Sequence, residues 1–76
     1  MSDVLIDARG LRCPWPALRL ARAMREGGSR VAVTIVADDP AAPRELAALA
    51  AERGWSIMAV DSELGAAHRI ESAPAP

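Results

Sequence analysis

Phenylalanine, tyrosine and lysine are absent from this chain of 76 residues, and cysteine and histidine occur once each. Without Phe or Tyr the interior has to be built from Ala, Val, Leu, Ile and Met. One cysteine excludes an intrachain disulfide, and one histidine leaves no cluster with zinc-ligand spacing, so neither usual staple of a small domain is at hand. No cofactor and no metal are expected. The fold rests on packing alone, in one domain below the size at which a single core is comfortably stabilising. No apolar run approaches the length that spans a bilayer, and the opening Met-Ser-Asp-Val lacks a basic region followed by an apolar core. A soluble, cytosolic chain without a membrane partner is expected. A net charge of −1 lacks the basic excess of a dedicated nucleic-acid binder.

What is present gathers around Cys13, in the stretch Gly-Leu-Arg-Cys-Pro-Trp-Pro-Ala. A helix beginning there has Cys13 at the N-cap and Pro14, Trp15 and Pro16 in its first three positions. Amides of a first turn have no intrahelical acceptor, so proline loses nothing there, and its fixed φ already suits a helix. The thiol is thereby held on a stiff mount. Between Asp7 and Glu26 there is no acidic residue, whereas Arg9, Arg12, Arg19, Arg22 and Arg25 all fall in that interval. The positive helix end and nearby guanidinium groups favour a thiolate, so the thiol pKa is expected to be lowered. Pro14 and Pro16 temper this, because they leave the Trp15 amide as the main free donor. The plainer reading is a small buried hydrophobe or an ordinary cap.

Taken in order, Val4 to Ala8 reads as a first strand, and Pro14 to Glu26 as an amphipathic helix with Ala17, Leu20, Ala21 and Met24 on its apolar face. Trp15 shares the outer face with Arg19 and Arg22, where it serves either as a docking anchor or as a residue packed on its own domain. Arg30 to Ala37 is apolar at both parities and reads as a central strand. Asp38 and Asp39, before Pro40, suit capping and turn roles. A second helix starts at Pro40 or near Pro43 and carries Leu46, Leu49 and Ala50. Trp55 to Glu63 and Ala66 to Glu71 read as two further strands, with Met24 and Met58 as core and His68 as an exposed strand residue rather than a base. These elements predict an α+β two-layer sandwich of order β-α-β-α-β-β: a four-stranded mixed sheet with two helices on one face, a single domain over residues 1–71. Residues 72–76, small residues and proline, read as a frayed tail.

Ile6 to Pro16, then Asp38-Asp39-Pro40-Ala41, then Arg44, resemble the TusA-like (SirA, YedF) sulfur-carrier family over nearly the whole chain. The resemblance implies a carrier that holds sulfane sulfur as a persulfide on Cys13, with Arg12, Pro14 and Pro16 supporting it. It implies a cysteine desulfurase or rhodanese as donor and a DsrE-type protein as acceptor. The carrier acts as a covalent protein cosubstrate rather than a stand-alone enzyme. Destinations in the family are tRNA thiolation, molybdenum-cofactor biosynthesis and dissimilatory sulfur metabolism, with no direct nucleic-acid contact implied. Trp15, Arg19, Arg22, Asp38, Asp39 and Arg44 are carried over as partner contacts. Two departures stand out: Trp15 occupies a motif position that is often glutamate, and no second cysteine exists to resolve a persulfide within the chain. Transfer is then intermolecular. The alternative is a non-transferring interaction or regulatory domain that docks through Trp15 and the arginine face. A thiol redox enzyme lacks its second cysteine.

Overall fold

The structure, a computed structural model, describes residues 2–72. Its elements are β1 (Ser2–Asp7), α1 (Trp15–Glu26), β2 (Val31–Val36), α2 (Ala42–Arg53), β3 (Ser56–Ser62) and β4 (Gly65–Glu71). The strands form one mixed sheet in the order β1-β2-β4-β3, with β1 parallel to β2, β2 antiparallel to β4, and β4 antiparallel to β3. The expected two-layer architecture and element order are therefore present. The two crossovers explain the two helices on one face, since parallel strands need a connection that packs back on the sheet.

Val4, Val33, Ile70 and Ile57 fall in register across the four strands and share the face toward the helices. On that face Ile6, Ala8, Val31, Val33, Ile35 and Ile70 pack with Leu20 and Met24 of α1 and Leu46 and Ala42 of α2. Burying an aliphatic side chain of this size contributes roughly 1.5–3 kcal/mol, so this cluster replaces the missing disulfide and metal. In β2, Val31, Ala32, Val33, Ile35 and Val36 are all buried, as its apolar residues at both parities predict.

The neighbouring row, Leu5, Thr34, Arg69 and Met58, faces away from the helices. This corrects the expected core role of Met58: it lies on the edge strand β3, on the uncovered face, and is 58% exposed. Leu5 is exposed on the same face, and Arg69 lies between them, paired with Asp3 at 3.3 Å and Glu71 at 3.0 Å. His68 is half-buried rather than exposed, opposite Ile35 and Ala59, because β4 is an inner strand. Ser72, expected in the frayed tail, is tied to the sheet. Its amide donates to the Val31 carbonyl at 3.0 Å, and its hydroxyl accepts from the Val31 amide at 2.9 Å and donates to the Ser29 carbonyl at 3.2 Å. The tail expected over residues 73–76 lies outside the described residues.

Candidate functional site

Because β1 and β2 are parallel neighbours, the loops that follow them leave the same edge of the sheet and meet. The first carries Cys13 and the second carries Asp38 and Asp39. Helix α1 starts one residue later than the sequence suggests: Pro14 is the N-cap, followed by Trp15 and then Pro16. A turn over Arg12 to Trp15 leads into it, closed by the Trp15 amide donating to the Arg12 carbonyl at 2.8 Å; the Cys13–Pro14 peptide is cis. Cys13 is exposed in that turn, just outside the helix. The Trp15 amide, expected to be the main free donor, is thus already engaged. Pro16 has a role the sequence reading missed, as one of the largest fully buried side chains.

The backbone of the Cys13 loop is held from across the gap. The Cys13 amide donates to Asp39 Oδ2 at 2.6 Å, and the Gly10 amide donates to Asp38 Oδ1 at 2.9 Å. Asp39 Oδ1 accepts from the Ala41 amide at 2.9 Å, the local turn its position before Pro40 suggests. These bonds, with Arg12 nearby, hold the Asp39 carboxyl below its ordinary pKa, the Ala41 amide having the largest effect. Cys13, Arg12, Asp38 and Asp39 line an open surface depression with Gly10 and Pro40.

The expected lowering of the thiol pKa is overturned. The Glu45 carboxylate, in the first turn of α2, is the largest influence on the protonation of the thiol. Partial desolvation and the negative charges of Glu45 and Asp39 add to this, and the pKa is raised. The interval without acids between Asp7 and Glu26 is real in sequence, but the fold fills it with carboxylates from another segment. The arginines contribute less than their number suggests. Arg9 is taken up by Asp7, with Nε to Oδ1 and Nη2 to Oδ2 both at 2.8 Å, and Asp7 falls to about 2 as a result. Arg22 pairs with Glu26 at 3.1 Å one turn on.

Trp15 lies on the outer face of α1, as expected, and is 58% exposed; Leu18 beside it is 51% exposed. Arg12, Arg19 and Arg44 are exposed and make no ion pair among the described residues. Asp38 and Asp39, expected as partner contacts, have their carboxylates turned to the chain itself. Glu45 was missed altogether. Its signal was available in the parallel pairing that follows from two β-α units in sequence, which brings the start of α2 beside the start of α1. No cluster of side chains suited to a metal occurs among the described residues, and no helix among them is long and apolar enough to cross a membrane.

The family described as "Sulfurtransferase TusA" matches residues 4–71 of this chain. A solved structure of a SirA-like protein from Desulfitobacterium hafniense superposes with a TM-score of 0.76 at 26% sequence identity, covering 95% of this chain and 99% of that one.

Proposed function

Since this chain belongs to the TusA sulfurtransferase family, we propose that it carries sulfane sulfur as a persulfide on Cys13, between a donor protein and an acceptor protein. The observation that supports this best is the placement of Cys13: exposed, on a loop fixed from both sides, with no second thiol in the chain. The Cys13 thiolate attacks the outer sulfur of a donor persulfide. A sulfur–sulfur bond forms on Cys13, the donor's breaks, and the donor leaves as a thiolate, so no net oxidation occurs. An acceptor thiolate then takes the outer sulfur in the same way and returns Cys13 to its thiolate. A persulfide is more acidic than a thiol, so it ionises more readily than the thiol beside the same carboxylates.

The donor is a desulfurase or rhodanese, the acceptor is a DsrE-type protein, and the exchange takes place in the cytoplasm. Trp15 and Leu18 offer an apolar step that begins two residues after Cys13, with Arg12 and Arg19 near it in sequence, where such partners dock. Incubation with a desulfurase and cysteine, or with a rhodanese and thiosulfate, is expected to add one sulfur atom to the intact mass of the wild type and none to Cys13→Ser. Absence of an adduct from both donors would overturn the reading. Trp15→Ala is expected to weaken donor binding while leaving loading by inorganic polysulfide intact.

A further inference from the structure

The loop from Ala8 to Trp15 has almost no regular structure, so its backbone bonds can be followed one by one. Ala8 donates to the Val36 carbonyl, Arg9 to Asp7, Leu11 to the Ala8 carbonyl and Trp15 to the Arg12 carbonyl. The remaining engaged amides, Gly10 and Cys13, both end on carboxylates of the β2–α2 connection. The Cys13 bond is the shortest of these at 2.6 Å, and the acceptor residue is itself fixed, because the other oxygen of Asp39 holds the Ala41 amide at the N-cap of α2. A bond to an ionised acceptor is about twice as strong as a neutral one.

We propose that Asp39 is a positioning residue for sulfur transfer, its two carboxylate oxygens fixing the Cys13 backbone to the start of α2 so that the sulfur is presented to a partner in one place. Asp38 serves as the second point of attachment, at Gly10. This rests on the carrier reading of Cys13 and gives a role to a residue that the family resemblance places only among partner contacts. The charge of the same carboxylate also acts on the thiol, as a smaller influence than Glu45 of α2. Arg12 of the loop itself is the cation that faces Asp39. Asp39 therefore acts in two ways: its oxygens hold the backbone, and its charge disfavours the bare thiolate. The empty carrier is thereby less easily ionised between partners, whereas the loaded carrier, with its more acidic outer sulfur, ionises more readily in the same surroundings.

Both actions are tested with Asp39→Ala and Asp39→Asn, the second of which keeps shape and one acceptor oxygen but not charge. Circular dichroism establishes that each is folded. Loading of Cys13 from a persulfidated rhodanese is expected to slow about tenfold in Asp39→Ala, the effect of losing a hydrogen bond to a charged group. Loading from inorganic polysulfide, which needs no docked geometry and gains from easier ionisation, does not slow. Asp39→Asn loads at an intermediate rate. In both variants the alkylation profile of Cys13 moves to lower pH, and in Asp39→Ala the Cys13 amide exchanges faster with deuterium. Wild-type loading rates from rhodanese in both folded variants, or an unmoved alkylation profile in both, would overturn the proposal. Should the wild type accept sulfur from neither source, the carrier reading fails instead. The exchange and alkylation measurements, which involve no sulfur transfer, then decide the clamp separately.

Discussion

Helices α1 and α2 begin alike and do different work. Each has 12 residues, follows one of two parallel strands, carries proline at its second position and lacks a side-chain cap. At the start of α1 the proline is buried, there is no acidic side chain in the first turn, and the thiol lies just ahead. At the start of α2 the proline is exposed, Glu45 is in the first turn and two aspartates precede it. The first presents a sulfur; the second supplies the anchors and the charges that surround it. The electrostatics of Cys13 therefore do not follow from the helix it precedes alone, whose positive end argues for a thiolate. Glu45 of the neighbouring helix raises the thiol pKa, and partial desolvation and the charge of Asp39 add to it.

The largest expected effects test whether the two helices are equivalent where they meet the sheet. Leu20 of α1 and Leu46 of α2 are both fully buried. Leu20→Ala and Leu46→Ala should each cost about 3 kcal/mol in urea unfolding. A near-neutral result for either would show that the helices differ in their packing as well as at their ends. The prolines should separate them next. Pro16→Ala removes a fully buried ring and should destabilise by about 1–2 kcal/mol, whereas Pro43→Ala, on an exposed position, should stay within about 1 kcal/mol. Equal effects would break the distinction between a proline that packs and one that only starts a helix. The smallest change is electrostatic. Glu45→Gln removes the carboxylate that most raises the thiol pKa, so ionisation becomes easier and the alkylation profile of Cys13 should move to lower pH. Glu52→Gln, on the last turn of the same helix, should leave that profile in place.

Most of the architecture is legible in the residues themselves. The periodicity of Leu20 and Met24 against Arg19 and Arg22, the doubly apolar run of β2, and the glycines after both helices fix the element order and the helical face of the core. Legibility fails where a contact joins distant segments. Met58 is apolar and sits in an apolar strand, yet strand order, which periodicity does not encode, puts it on an edge and on the uncovered face. Cys13 is separated from Asp39 by 26 residues and their bond follows only once β1 and β2 are known to be parallel neighbours. The sign of the thiol's pKa went the same way, since a chain read locally shows arginines around Cys13 and a folded one shows carboxylates. The sequence reading takes Pro16 only as a helix-start residue, although its four-residue spacing to Leu20 and Met24 places it on the same buried stripe.

The sparse aromatic content has a practical consequence. With no tyrosine and no phenylalanine, all fluorescence of this protein comes from Trp15 and Trp55. Trp55 packs against the core with the Arg53 guanidinium 5.7 Å from its ring centre, while Trp15 stands largely in solvent two residues after Cys13. The chain therefore contains its own pair of optical reporters, one for the folded state and one for the sulfur site. In Trp55→Leu, emission comes from the site alone, and its shift to shorter wavelength on adding a donor protein records docking without any attached label.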